Sequence, residues 1–294
     1  MTQFHLAEII TKDKLVHQGI FYNPKNPGSK ALLWIHGLTG TFYGGVKMLE
    51  ILTHACEKEG WGFASFNNRG HDMVSGAKKL DPINPKGYSY TMIGAGNEKF
   101  EECIHDIEAG VDFLVQQGFK EIILIGHSSG ANKVCYYAGV KKHPQVMGIV
   151  LASPVSDRLV PRIDQVKIKR STVVMNTLIK KAQGKELLIG HNFFPVTPYR
   201  FLSLYLPHSQ EDVFDYGDEI PKMKLYSQIK KPLLVVFGNQ DDSMDRPATQ
   251  IQKVFDTKTT SLKYKSVIIP NAEHNFTGQE ENFVKTIVEW VKTI

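Results

Sequence analysis

Ile122-Ile123-Leu124-Ile125-Gly126-His127-Ser128-Ser129-Gly130-Ala131-Asn132 runs an apolar, β-branched stretch into a GxSxG turn and then into a segment rich in small residues. Gly126 and Gly130 allow a sharp bend and close packing, which lifts the Ser128 hydroxyl clear of its strand as a candidate nucleophile. A serine hydroxyl attacks poorly near neutral pH, so it needs a base and a third group that holds the base in the right tautomer. Two later segments offer both. The apolar run 233–238 is followed by Asn239-Gln240-Asp241-Asp242, and Val267-Ile268-Ile269-Pro270 leads into Asn271-Ala272-Glu273-His274. The carboxylate candidates are Asp241, Asp242 and Asp245. Asp241 is favoured because it comes early in its loop, Asp242 is its main rival, and Asp245 precedes Pro247 and suits a helix start. Of eleven histidines, only His274 follows a late strand at the required point of the order. The plainer readings are that Ser128 caps a helix and that His274 is an ordinary loop histidine.

An acyl-transfer site also needs amides aimed at the oxyanion that develops in the transition state. Leu33-Trp34-Ile35-His36-Gly37-Leu38-Thr39-Gly40 ends a strand in a glycine turn, so Leu38 N–H is one expected donor and Ser129 N–H the other. His36 reads as a structural hydrogen-bonding residue, since the base role falls to His274. In Asn67-Asn68-Arg69-Gly70-His71-Asp72, the simplest expectation is that Arg69 and Asp72 brace the loop as an ion pair.

Positioning these groups requires an α/β chain. Residues 4–10 and 15–22 alternate polar and apolar positions around Lys12-Asp13 and predict an antiparallel hairpin. Short apolar runs at 31–36, 61–67, 121–126, 146–152, 232–238 and 266–269 predict strands, and 46–58, 97–117, 131–142, 247–256 and 280–292 have helical period. Such alternation means parallel strands joined by helical crossovers, with both sheet faces covered. Residues 153–231 break the rhythm and are too many for a structureless loop. The expected organisation is a core of residues 1–155 and 231–294 with an inserted helical cap at 156–230. Within the cap, Ser156 is a plausible N-cap, and 172–183 keeps an apolar face before Gly184.

Composition bounds the function. With 294 residues, 42% hydrophobic and 22% charged, the chain can bury a core, which excludes a disordered or collagenous protein. No stretch approaches the roughly 20 apolar residues a bilayer crossing needs, and the first residues lack a secretory signal, so a cytoplasmic protein without a membrane partner is expected. The net charge of +5 is too diffuse to suggest nucleic acid. Cys56, Cys103 and Cys135 are widely spaced and read as free thiols; with no Cys/His cluster, neither metal nor organic cofactor is expected. In the cap, residues 156–190 hold eight Lys or Arg against three acids, whereas 191–220 hold one against five. Two oppositely charged solvated faces that dock on each other explain this most simply. The functional alternative places Arg158, Arg162 or Arg200 on an anionic substrate group, with Phe194 and Tyr199 among the aromatic residues that could line a pocket.

The hairpin together with HGLTG, NNRGHD, GHSSGA, GNQDD and AEHNF resembles the α/β-hydrolase superfamily over nearly the whole chain. The resemblance implies an α/β-hydrolase fold: a mostly parallel sheet with an N-terminal antiparallel hairpin, helices on both faces and an inserted cap. More narrowly, NNRGHD, SSGANK, PVTPYRFLSLY and EDVF look like the fungal siderophore esterases and their uncharacterised bacterial relatives. That resemblance implies hydrolysis of ester bonds in hydroxamate siderophores, with Ser128, Asp241 and His274 carried over; the residues together give the expectation of a carboxylesterase-like serine hydrolase acting on a small to medium-sized small-molecule ester, siderophore-like or a lactone. A thioesterase or amidase would share the machinery. From other classes come a non-catalytic ligand-binding protein on the same scaffold and an interaction module using the charged cap. A monomer or homodimer fits either way.

Overall fold

The computed structural model describes residues 3–161 and 163–294. The hairpin forms as β1 (His5–Ile10) against β2 (Val16–Tyr22). The main-sheet strands that follow are β3 (Lys30–Ile35), β4 (Gly62–Phe66), β7 (Glu121–His127), β8 (Val146–Ala152), β9 (Leu233–Gly238) and β10 (Tyr264–Ile269). They join the hairpin in one eight-stranded sheet of order β1-β2-β4-β3-β7-β8-β9-β10, parallel from β4 onward.

Both faces of the parallel strands are apolar because successive side chains point to opposite sides and each side meets helices. On one face Leu33, Leu124 and Val235 pack with residues of α2 (Cys103–Gln116), α3 (Ser129–Val140) and α6 (Ala248–Lys258). On the other, Trp34, Ile125 and Val236 pack with α1 (Val46–Glu59) and α7 (Glu280–Val291). The three cysteines are free and buried. Among the described residues no helix is long and apolar enough to cross a membrane.

Several elements depart from the expectations. A second hairpin, β5 (Ser75–Leu80) with β6 (Tyr88–Ile93), lies outside the main sheet. Its apolar signal is faint because only Ala77 and Ile93 join Leu15 in a small cluster. The helix expected from residue 97 begins at Cys103, after a 3-10 turn at Phe100–Glu102. In the β8–β9 connection, α4 (Gln165–Lys180) starts well before Thr172, because the Asp164 carboxylate caps it by accepting from Val166 N at 2.8 Å and Lys167 N at 3.1 Å. Ser156 precedes only a 3-10 turn, Asp157–Leu159, and makes no side-chain cap bond. The PYRFLSLY stretch is α5 (Pro198–Tyr205), with Thr197 as N-cap and proline at the first helical position.

Candidate active site

Parallel strands deliver the loops that follow them to one sheet edge. Ser128 follows β7 there with φ 57° and ψ −129°, a conformation a non-glycine residue adopts only when its surroundings enforce it. Close packing supplies that enforcement. A Cβ on Gly126 would stand 2.3 Å from Gly130 O, and one on Gly130 2.2 Å from Ile35 O, so this turn tolerates no side chain at either glycine.

The loop after β10 brings His274 Nε2 to 2.8 Å from Ser128 Oγ. The loop after β9 brings the Asp241 carboxylate to 2.9 Å from His274 Nδ1. A carboxylate only accepts, so Nδ1 carries the proton and Nε2 accepts from the Ser128 hydroxyl. Asp241 is buried and also accepts from Ser243 N at 2.9 Å. Asp242 lines the neighbouring cleft, and Asp245 pairs with Arg246.

Two residues not anticipated from the sequence hold the histidine loop. The His274 carbonyl accepts from His127 Nε2–H at 2.9 Å and from the Ser153 hydroxyl at 2.9 Å. Burial, followed by the nearby His274, lowers the His127 pKa to about 4, so its ring is neutral and has a proton to donate only from one nitrogen. The ring stacks on Trp34. The one sequence signal for His127 was its place inside GxSxG; nothing marked Ser153.

The glycine turn after β3 lies directly against Ser128, since a Cβ on Gly37 would stand 2.9 Å from Ser128 Cβ. Leu38 lines the cleft, and Ser129 opens α3, whose N-terminal dipole favours negative charge nearby. His36 is buried. Its Nε2 accepts from Asn68 N at 3.1 Å, and its Nδ1 donates to Gly37 O at 3.0 Å. Burial, reinforced by the Lys133 charge, holds its pKa down at about 3, so the ring stays neutral and can do both. The expected Arg69–Asp72 pair does not form. Arg69 is buried against Asp106 at 2.9 Å, with Asp13 and Glu102 around it, while Asp72 meets His71. A buried guanidinium needs several acceptors, and α2 supplies the nearest carboxylate.

The cleft around Ser128 and His274 has a volume of about 1060 Å³. Its upper wall comes from the β8–β9 connection, including Asp157, Lys167, His191, Phe193 and Tyr205. The suggested substrate contacts lie elsewhere. Arg158 pairs with Asp212 at 3.0 Å and with Asp218, joining the basic and acidic parts of this connection. Phe194 is buried with Met175, Val196 and Phe201. Tyr199 is exposed, its ring against Gly184. Arg200 is buried and ion-paired with Glu98 and Glu211. None of these four lines the cleft, and Arg162 lies outside the described residues.

Comparison with known proteins gives concordant relatives. A Mycoplasma pneumoniae protein named "Putative esterase/lipase 2" is 25% identical over 233 residues, 76% of this chain and 76% of that protein. Est1E of Butyrivibrio proteoclasticus, solved with ferulic acid bound, superposes with a TM-score of 0.66 at 17% identity, over 98% of each chain. The siderophore hydrolase EstB of Aspergillus fumigatus gives 0.65 at 18% identity, over 99% of this chain and 98% of that one. The molecule therefore has the α/β-hydrolase fold, as its strand order and helical layers already indicated. A family model described as "Protein of unknown function (DUF1749)" matches residues 84–294, which include Ser128, Asp241 and His274, and the chain belongs to that family.

Proposed function

We propose that the protein is a serine carboxylic-ester hydrolase. The observation that carries this reading is the unbroken relay from the Ser128 hydroxyl through the His274 imidazole to the buried Asp241 carboxylate, opening on a large cleft. In the proposed reaction His274 Nε2 takes the Ser128 proton as Oγ attacks the ester carbonyl. Asp241 keeps the imidazole in register and stabilises its cation, and the Leu38 and Ser129 amides hold the oxyanion. Collapse breaks the acyl–oxygen bond, and His274 returns the proton to the leaving alcohol. Water, deprotonated by the same histidine, then attacks the acyl-enzyme and releases the acid. No step calls for a group beyond these residues and water.

Residues 156–230 act in this reading as a cap, because they supply the upper wall of the cleft. A cleft of about 1060 Å³ suits a small to medium-sized ester, since ligand pockets commonly run about 300–1,000 Å³. The esterase and siderophore-hydrolase relatives favour testing hydroxamate and aryl esters first. The test is a panel of acetyl, aryl and hydroxamate esters with wild-type protein and Ser128→Ala, together with labelling by a fluorophosphonate. Turnover is expected to fall at least about 10⁴-fold in Ser128→Ala, with labelling confined to Ser128 in the wild type. A folded wild-type protein that hydrolyses no ester and resists the probe contradicts the reading and favours a ligand-binding role.

A further inference from the structure

A chain of fully buried polar groups leads from α5 to the glycine turn beside Ser128. The Arg200 guanidinium donates to Glu98 Oε1 at 2.7 Å, to Glu211 and to the Ala95 carbonyl at 2.9 Å. The second oxygen of Glu98 accepts from Lys133 Nζ at 2.7 Å, and the same ammonium donates to Asn68 Oδ1 at 2.9 Å. Asn68 grips His36 twice, donating from its backbone N to Nε2 at 3.1 Å and from Nδ2 to the His36 carbonyl at 3.2 Å. His36 Nδ1 in turn donates to Gly37 O at 3.0 Å. The Arg200, Lys133 and Glu98 side chains have no exposed surface.

Such a chain is a costly way to gain stability. Two cations and two anions taken out of water repay their desolvation poorly, and apolar residues of similar volume commonly do as well or better. The arrangement is also tightly fitted: a Cβ on Gly70 of the NNRGHD motif would stand 2.3 Å from Glu98 Oε2. Burial would raise the Glu98 pKa, but Lys133 and Arg200 hold it below its ordinary value, so Glu98 keeps its charge between them. Lys133 has a second effect. It sits on α3, the helix that follows Ser128, and its charge helps keep His36 neutral, the form in which Nε2 can accept from Asn68.

Resting on the hydrolase reading above, we infer that Arg200, Glu98 and Lys133 are positioning residues: through Asn68 and His36 they fix the Gly37–Leu38 peptide in the orientation that stabilises the oxyanion. The residue that looked from the sequence like a contact for substrate charge acts here from beneath the turn. A loosened turn weakens binding of the transition state more than that of the ester, so the defect falls on kcat rather than KM.

The experiment compares Arg200→Met, Lys133→Met and His36→Gln, singly and as the Arg200→Met/His36→Gln double variant. Each is checked for folding by thermal denaturation. Measurements are kcat and KM on one activated ester and the inhibition constant of a trifluoromethyl ketone, which forms the tetrahedral oxyanion on Ser128. Expected are a loss of kcat of about 10- to 100-fold with KM changed less than about threefold, and a matching loss in ketone affinity, somewhat below the effect of deleting an oxyanion donor outright. In the double variant the losses should be clearly less than multiplicative, because both changes act through one turn. Folded single variants with wild-type kcat and ketone affinity, or multiplicative losses in the double variant, overturn the inference. If Arg200→Met does not fold, Lys133→Met decides by the same measurements, and failure of both to fold assigns the chain a purely structural role. A wild-type protein that neither hydrolyses esters nor binds the ketone removes the hydrolase reading itself, a different result from either of these.

Discussion

At the level of single residues, the proposed chemistry depends on which hydrogen-bond partner each nitrogen of His274 finds. Nδ1 faces an acceptor-only carboxylate, so Nε2 is left to accept from the Ser128 hydroxyl, the geometry the proposed proton transfer needs. Replacing Asp241 by Asn keeps the shape but lets an amide N–H face the ring, favouring the opposite tautomer. Asp241→Asn is expected to lower kcat about 10⁴-fold in steady-state assays with little change in KM. Asp242→Asn should cost less than about tenfold, because His274 Nδ1 bonds to Asp241. Equal losses in the two variants would reverse the assignment. His127 and Ser153 act more indirectly by tethering the His274 backbone, and neither could be singled out beforehand, since a carbonyl contact across 121 or 147 residues leaves no local pattern.

At the level of elements, the corner between β2, α2 and the loop after β4 is held by Arg69 and His17 on Asp106. Burial alone would raise the Asp106 pKa, but the Arg69 guanidinium and His17 more than offset it and leave the carboxyl well below the usual range. A depressed carboxylate stabilises the fold above its unfolded-state pKa, and that stability is lost as pH falls through the folded value. Asp106→Asn, which leaves Arg69 buried and poorly paired, should therefore cost about 3–5 kcal/mol in urea denaturation at pH 7. The deficit should persist down to about pH 4 and narrow only below it. In the β8–β9 connection, Asp164→Ala removes the cap of α4 and should cost about 1 kcal/mol, seen as faster amide exchange in the first turn of α4 with the sheet unaffected. Unchanged exchange there would mean that the helix start is held by other contacts.

Across the whole molecule, acid sensitivity should begin well above the carboxylate range. His36 and His127 are kept neutral by burial, with pKa values of about 3 and about 4 against an ordinary 6.5. Below pH 6.5 the unfolded chain binds protons that the native state refuses, so stability falls with falling pH. Each histidine contributes a slope of up to about 1.4 kcal/mol per pH unit, until its folded pKa is reached. Urea midpoints measured from pH 7 to pH 4 should decline through this window. His127→Phe should make the decline shallower, although it is less stable at pH 7 through loss of its bond to the His274 carbonyl. A midpoint that holds constant down to pH 4 would contradict the neutral state of both rings.

The linear chain determined the strands, the glycine turn and the order serine, carboxylate, histidine, because side-chain period, β-branching and glycine placement act over a few neighbouring residues. GHSSGA had to bend where it does, and AEHNF had to follow the last strand. What only the tertiary structure decided is which charges meet. Arg200 reaches Glu98 across 102 residues and Arg69 reaches Asp106 across 37, so both guanidinia turned inward where the sequence alone suggested a substrate or a neighbouring aspartate. The β5–β6 hairpin and the early start of α4 belong to the same class. The first is recognised by packing on Leu15 and the second by a single capping carboxylate, and neither carries enough local apolar period to announce itself.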